Sequence, residues 1–160
     1  MPAAIFPGTF DPLHWGHLAV LRRAKVIFPQ LTAVVLENAG KAPWFTVSER
    51  VAMLEEVLGP LQIGVAARQT LTVRAAVELG ATVLVRGVRN ATDWDYESAL
   101  ALANRRLEPS VETVFLVTDP EWAHLSSSLV KEMALFGADL SVAVPEPVAR
   151  RIAARLNANR

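Results

Sequence analysis

The chain has 160 residues, 52% of them apolar, and its 16 lysines and arginines balance 16 aspartates and glutamates. This composition predicts one folded domain over residues 1–160, excludes a largely disordered chain and, with no basic excess, argues against a nucleic-acid-binding protein. The lack of cysteine excludes disulfides, thiolate catalysis and cysteine-based zinc sites. The sequence has no recognisable secretory signal and no apolar run of about 18 residues, so we expect a cytoplasmic protein without membrane contact.

Five short apolar runs alternate with stretches of helical periodicity. The apolar runs predict strands at 3–6, 31–36, 62–67, 82–85 and 111–117. The other stretches predict helices at about 15–28, 46–58, 70–80, 93–107, 126–137 and from 145 onward. This alternation predicts an α/β fold with a doubly wound, mostly parallel five-stranded sheet and a C-terminal helix from about residue 145.

Local signals refine these elements. Thr46 and Glu49 have the spacing of a capping box at the start of the second helix. Thr70 or Thr72 is predicted to cap the third helix. Residues 86–93 are predicted to form a polar loop, and residues 138–144 a short extended segment.

Ligands of doubly wound sheets bind beyond the carboxyl ends of the strands. The residues of this sequence that suit a ligand fall in the loops after the five strands, at 9–17, 41, 70–72, 86–89 and 122–128. The first of these loops joins a strand to a helix start, where backbone N–H groups and the helix dipole favour a phosphate. The hydroxyl of Thr9 and the imidazoles of His14 and His17 can also donate hydrogen bonds to phosphate oxygens.

The simpler interpretation is that His14 and His17 are only polar residues at a solvated helix start. The complete string T-F-D-P-x-H-x-G-H directly after a first strand is more specific. It resembles the H-x-G-H signature of the nucleotidyltransferase superfamily, whose members move a nucleotidyl group from a nucleoside triphosphate onto a phosphate or carboxylate. The resemblance implies that superfamily's Rossmann-like fold.

The other loops each allow two interpretations. Lys41 is either a solvated surface lysine or a cation that reaches the transferring phosphate. Arg86 and Arg89 are either partners of buried ion pairs or forks for a polyphosphate, with Gly87 allowing close approach of the backbone. The serines at 126–128 supply either one ordinary N-cap or, with their hydroxyls and amides, a second phosphate cradle.

Longer blocks resemble one family within that superfamily, the bacterial-type phosphopantetheine adenylyltransferases. The blocks are P-G-T-F-D-P at 7–12, G-H at 16–17, K-x-P-x-F-T at 41–46, R-G-x-R at 86–89, D-W-D-Y-E at 93–97, N-R at 104–105, E-T-V-F-L at 112–116, W-x-x-L-S-S-S-L-V-K-E at 122–132 and V-P-E-P-V at 144–148. They cover almost the whole chain in the family's order. The resemblance implies transfer of AMP from ATP to 4′-phosphopantetheine, which gives dephospho-CoA and pyrophosphate.

The resemblance also implies roles for individual residues. It assigns catalysis to Thr9, His17, Lys41 and Arg89, with His17 stabilising the transition state. It assigns ATP binding to Thr9, Phe10, His17, Gly87, Val88, Arg89, Glu97, Trp122, Ala123, His124, Leu125, Ser126, Ser127 and Ser128. It assigns phosphopantetheine binding to Thr9, Lys41, Thr72 and Arg86. It further implies Mg²⁺ together with ATP, inhibition by CoA and a homohexamer, while no side chain is predicted as a metal ligand and no nucleic acid as a partner.

Two features depart from the family pattern. His14 stands where most members carry threonine, and Thr70-Leu71-Thr72 is less apolar than expected at the pantetheine end of the site. His14 slightly favours an alternative, an adenylyltransferase that acts on nicotinate mononucleotide. A second alternative is a regulatory nucleotide-binding module without catalysis, which the presence of Thr9, His17, Lys41 and Arg89 together disfavours. The expected mechanism is in-line attack by the acceptor phosphate, without a covalent enzyme intermediate.

Overall fold

The computed structural model describes residues 1–37 and 42–158. Its five strands form one parallel sheet in the order β3-β2-β1-β4-β5. The strands are β1 (Ala4–Gly8), β2 (Leu31–Leu36), β3 (Gly64–Arg68), β4 (Val83–Val88) and β5 (Glu112–Val117). The chain winds outward from β1 in one direction and then returns to add β4 and β5 on the other side. The predicted α/β fold is therefore confirmed, and its topological switch point lies between β1 and β4.

Six helices cover the two faces of the sheet. They are α1 (Trp15–Ile27), α2 (Val47–Leu58), α3 (Thr72–Glu78), α4 (Ala91–Leu107), α5 (Ser127–Leu135) and α6 (Glu146–Ala158). Alternate strand residues enter two separate cores, as the period of a pleated strand requires. Phe6 of β1 joins the larger core, with the buried faces of α1, α2, α5 and α6, whereas the adjacent Ile5 packs beneath α3.

The capping box at α2 is present as predicted. The Thr46 hydroxyl accepts a hydrogen bond from the Glu49 amide at 3.2 Å, and the Glu49 carboxylate accepts one from the Thr46 amide at 2.7 Å. Three other local predictions are wrong. α3 begins after Leu71 and no side chain caps it, so neither Thr70 nor Thr72 is its N-cap. The segment 138–144 contains a 3-10 turn at Leu140–Val142, with Asp139 as its cap, instead of an extended run.

The third difference affects the site directly. β4 continues through Val88 and stays paired with β5, so Arg86, Gly87 and Val88 are strand residues and only Arg89 follows the strand. The polar residues from 86 onward predicted a loop. They instead form the carboxyl end of β4, which continues beyond its apolar residues to the edge of the sheet where ligands bind. None of the helices in the described ranges is both long and apolar enough to cross a membrane.

Candidate active site

A cavity of about 740 Å³ opens beyond the carboxyl ends of β1 and β4. It lies at the switch point of the sheet, where doubly wound folds bind their ligands. Most of the predicted site residues line it: Thr9, His17, Thr72, Arg86, Gly87, Arg89, Glu97, Trp122, Leu125, Ser126 and Ser127. His14 also lines the cavity, so the structure brings four of the predicted loops together around one space.

Five predicted residues do not line this cavity. Phe10 is buried behind His17, with the two ring centroids 5.1 Å apart, and Val88 is also buried. The other three are Ala123 and the exposed His124 and Ser128. Lys41 lies outside the described residues.

The two histidines form the start of α1. His14 is the N-cap, and its Nδ1 accepts a hydrogen bond from the His17 amide at 3.4 Å. In return the His14 amide donates to Nδ1 of His17 at 3.2 Å, and the two rings stack with centroids 3.7 Å apart. A capping box made of two imidazoles therefore fixes both rings on one face of the helix start.

These contacts also define the protonation of both rings. Burial, with a smaller contribution from the nearby Arg89 cation, lowers the pKa of His14 to about 3. Burial and the positive groups of His14, Arg89 and Arg86 hold the pKa of His17 well below its usual value. Because each Nδ1 accepts a backbone hydrogen bond, the neutral ring carries its proton on Nε2. Each imidazole can therefore donate one N–H without being an acid near neutral pH.

The start of α1 offers fewer backbone donors than a bare helix terminus. The Trp15 amide donates to the Ala143 carbonyl at 3.0 Å, and the His17 amide is used by His14. Of the first three amides of α1, only that of Gly16 has no hydrogen-bond partner among the described residues. A Cβ at Gly16 would lie 3.0 Å from the His14 ring, so the glycine of the motif is required by the stacked histidines as well as by the cavity.

Arg86 forms an ion pair, which is one of the two interpretations that the sequence allowed. Its guanidinium forms a two-pronged ion pair with Glu97 at 2.8 and 2.5 Å and donates to the Pro7 carbonyl at 2.8 Å. Three of its five N–H groups are thereby used, and the other two have no hydrogen-bond partner among the described residues. The ion pair holds Arg86 in place, and it also occupies the Glu97 carboxylate that was predicted to touch ATP.

Arg89 is held in the same way. It forms a two-pronged ion pair with Asp93 at 2.8 and 3.1 Å and donates to the Leu125 carbonyl at 2.9 Å. The hydrogen bonds from Arg89 lower the pKa of the Asp93 carboxyl. Arg89 therefore connects the start of α4 to the loop that precedes α5.

The three serines have three different environments. Ser126 is the N-cap of α5, and its hydroxyl accepts from the Leu129 amide at 3.1 Å. The Ser127 hydroxyl donates to the Pro12 carbonyl at 2.9 Å, whereas Ser128 is exposed and away from the cavity. The amides of Ser127 and Ser128 have no intrahelical partner by the geometry of a helix start. The phosphate cradle predicted here thus reduces to amides and, at most, two hydroxyls.

Sequence reasoning missed two buried charged residues near the site. Asp11 is 6% exposed and accepts hydrogen bonds from the Trp44 and Phe45 amides, both at 2.9 Å, while Lys131 donates to the same carboxylate. Arg50 is 3% exposed and donates to the Thr9 carbonyl at 2.9 Å. The acidic residue of the T-F-D-P string was a usable signal for Asp11. No local signal indicated Arg50, because it lies in a segment whose pattern is that of an ordinary amphipathic helix.

No group of three histidine or acidic side chains suited to a metal ion occurs in the described part of the chain. Two of the carboxylates that line the cavity, Asp93 and Glu97, are paired with arginines.

Comparison with known proteins agrees with this geometry. A family model described as cytidylyltransferase-like matches residues 5–133. A phosphopantetheine adenylyltransferase of Levilactobacillus brevis is 47% identical over 157 residues, which cover 98% of each chain. One from Caldanaerobacter subterraneus is 42% identical over 153 residues, 95% of this chain and 96% of that protein.

Among solved structures, the lipopolysaccharide core biosynthesis protein of Thermoplasma volcanium has a TM-score of 0.58 at 23% identity, covering 74% of this chain and 98% of that one. At that identity the likeness shows the shared fold. The full-length similarity to the two adenylyltransferases shows more, because it includes every loop that borders the cavity. This chain belongs to the phosphopantetheine adenylyltransferases, a family of nucleotidyltransferase enzymes.

Proposed function

We propose that this enzyme transfers AMP from ATP to 4′-phosphopantetheine and releases dephospho-CoA and pyrophosphate, a step of coenzyme A biosynthesis. The observation that carries the proposal is a set of hydrogen-bond donors around one cavity. The set comprises the neutral imidazole of His17, the guanidinium groups of Arg86 and Arg89, and the amide end of α5. The proposed acceptor, phosphopantetheine, is inferred from the name of the similar adenylyltransferases.

The positions of these donors suggest how the two substrates lie. ATP is proposed to place its phosphates between His17, Arg89 and the start of α5, where a helix dipole favours negative charge. The acceptor phosphate is proposed to lie near Arg86 and Thr72, which also line the cavity. Lys41 is proposed to bind the same phosphate, on the resemblance alone.

The proposed chemistry is a single in-line displacement. An oxygen of the phosphopantetheine phosphate forms a bond to the α-phosphorus of ATP, and the bond from that phosphorus to the bridging oxygen breaks, so pyrophosphate leaves with its electrons. No side chain becomes bonded to phosphorus. The work of the protein is to position two polyanions and to stabilise the charge that grows on the non-bridging and leaving oxygens.

His17 fits this role because its ring is neutral. An Nε2–H that stays on the ring is a fixed donor, and it adds no positive charge that would need neutralising when ATP is absent. Donors of this kind act mainly in the transition state, where the negative charge on the α-phosphate oxygens is largest. Arg89 contributes a guanidinium donor, and its ion pair with Asp93 keeps the fork from turning away.

Mg²⁺ is proposed to enter with ATP, and when bound it would neutralise part of the phosphate charge. CoA is proposed as an inhibitor because it contains both halves of the product, dephospho-CoA, and so can occupy both ends of the cavity. A cytoplasmic location is also proposed, since ATP is available there.

A homohexamer is also proposed. α4 buries only Glu97 and Asn104 among its 17 residues, and it leaves large apolar side chains in contact with solvent. The exposed ones are Trp94, Tyr96, Leu102 and Leu107. Next to α4 lies the edge strand β5, whose Val117 is 65% exposed. Exposed apolar side chains beside an open strand edge are the kind of surface that an identical subunit covers.

The test of the proposed reaction is a comparison of acceptors. Pyrophosphate release from ATP is measured with phosphopantetheine, with nicotinate mononucleotide and with no acceptor. We expect release only with phosphopantetheine, and a product of the mass of dephospho-CoA. Equal turnover with nicotinate mononucleotide would assign the enzyme to the alternative acceptor, and ATP binding without turnover on either would favour the regulatory module. Sedimentation at several protein concentrations checks the hexamer separately.

A further inference from the structure

Arg50 is a buried cation whose hydrogen bonds all go to backbone carbonyls. Its Nε donates to the Phe45 carbonyl at 3.0 Å and to the Thr46 carbonyl at 3.4 Å, and its Nη1 donates to the Thr9 carbonyl at 2.9 Å. None of the ion pairs formed within the described ranges includes Arg50. Burying a guanidinium without an opposite charge is costly, and an apolar side chain on α2 would pack there at less cost.

Asp11 makes the reciprocal connection. It lies in the loop between β1 and α1 and accepts hydrogen bonds from the Trp44 and Phe45 amides, both at 2.9 Å. Phe45 is therefore held at its N–H by Asp11 and at its carbonyl by Arg50. Lys131 of α5 donates to the same Asp11 carboxylate. We refer to Asp11, Phe45, Arg50 and Lys131 as the crossed brace.

The crossed brace joins two segments that border the cavity, the β1–α1 loop and α5, to the segment that follows Lys41, although none of its four residues lines the cavity. Thr9, which does line it, has its carbonyl fixed by Arg50 and lies two residues before Asp11. Lys131 follows the cavity-lining start of α5 by four residues. The remaining segment, from residue 44 onward, begins three residues after Lys41 in the sequence.

We propose that Arg50 is a positioning residue for nucleotidyl transfer. By holding the carbonyls of Thr9 and Phe45 together, it sets the distance between the loop that carries Thr9 and the segment that follows Lys41. Both loops are assigned to the reacting phosphates, so this inference rests on the proposed function. A displacement of about 1 Å from the reactive arrangement can cost about a hundredfold in rate, even when the substrate still binds.

The primary experiment compares three variants. Arg50→Met keeps the volume and removes the three donated bonds, Arg50→Lys restores a single donor, and Leu54→Ala is the matched control. Leu54 is fully buried on the same helix, one turn further on, and belongs to the larger apolar core. We expect Arg50→Met to lower kcat by about tenfold to a hundredfold, with KM for ATP changed less than about twofold, and Arg50→Lys to lie between. Leu54→Ala should lower Tm at least as far while keeping kcat within about twofold.

A double-variant cycle tests whether Arg50 and Asp11 act through the same loops. If both set one distance, Asp11→Asn with Arg50→Met should cost no more in kcat than the worse single variant. Multiplication of the two losses would overturn the shared role. A kcat for Arg50→Met within twofold of the unmodified enzyme, or an equal loss in Leu54→Ala at an equal loss of Tm, would overturn the proposal.

Amide hydrogen exchange tests the brace without any substrate. Arg50→Met should speed exchange in peptides covering residues 9–17 and 44–46, and Leu54→Ala should not, because of these two side chains only that of Arg50 donates hydrogen bonds to those segments. Unchanged exchange there in Arg50→Met would overturn the proposal. If the unmodified protein releases no pyrophosphate with phosphopantetheine, the proposed function fails, and hydrogen exchange still decides on the brace.

Discussion

Replacing His14 should change how the stability of the enzyme depends on pH. In the folded protein the pKa of His14 is lowered to about 3 from 6.5, chiefly by burial and secondarily by Arg89. The unfolded chain releases His14 to solvent, where it takes up a proton as the pH falls through about 6.5. Between those two pKa values the unfolded state binds more protons than the folded state, so acid favours unfolding.

The size of the effect follows from the same two values. From about pH 7.5 to pH 5, linkage at this single imidazole removes about 2 kcal/mol from the free energy of unfolding. His14→Thr should abolish that part of the acid loss, since threonine does not titrate, and its hydroxyl can still cap α1. Whatever the effect of the lost ring stacking on stability at pH 7.5, the fall in the free energy of unfolding toward pH 5 should be shallower by about 2 kcal/mol in the variant.

The assay is urea unfolding at pH 7.5, 6.5 and 5.0, at one protein concentration because an oligomer's stability depends on concentration. His124→Gln is the matched control, since it removes an exposed histidine that does not line the cavity. Parallel pH curves for the unmodified protein and His14→Thr would refute the buried, neutral imidazole. So would a flattening of the same size in His124→Gln.

Three further outcomes concern activity. His17→Ala should lower kcat by about a hundredfold to a thousandfold with little change in KM, whereas His14→Thr should be mild; equal losses in steady-state kinetics would contradict the division of labour. Arg86→Ala should lower kcat/KM for phosphopantetheine by about tenfold to a hundredfold. It should also lower Tm, because the buried carboxylate of Glu97 is left unpaired. If calorimetry shows an equal loss of ATP affinity, Arg86 has been assigned to the wrong ligand. Ser127→Asp should weaken ATP binding, while Ser128→Asp, which lies off the cavity, should weaken it less; equal titrations would exclude α5 as the phosphate site.

The fold was predictable from the sequence because its signals are local. Apolar strand runs and helical periodicity gave all five strands and six helices, and the capping box gave the start of α2. Where the prediction was wrong, tertiary contacts decided. β4 extends through Arg86 because pairing with β5 continues beyond its apolar residues. Leu71, with no capping side chain, precedes α3 despite two threonines beside it, because the apolar residues of α3 are buried against the sheet.

The candidate site was predictable as a set of residues and not as a set of contacts. The motif located His17, yet its neutral state comes from burial and from the charges of Arg86 and Arg89, which are distant in sequence. In the same way, nothing local indicated that Arg50 reaches the Thr9 carbonyl across 41 positions of the chain. Side-chain direction and burial are properties of the folded chain, so they need the structure.

The cations of the site are arranged for directed hydrogen bonding more than for net attraction. Arg86 and Arg89 are each paired with a carboxylate, and the protein as a whole has no net charge. Pairing reduces the long-range field toward a polyanion, but it fixes each guanidinium fork, so less side-chain entropy is lost when a phosphate binds. The neutral imidazole of His17 follows the same principle, because it donates a hydrogen bond without carrying a positive charge. Such a site favours the shape and charge distribution of the transferring phosphates over anions in general, since a fixed donor contributes only where an oxygen meets it at hydrogen-bonding distance.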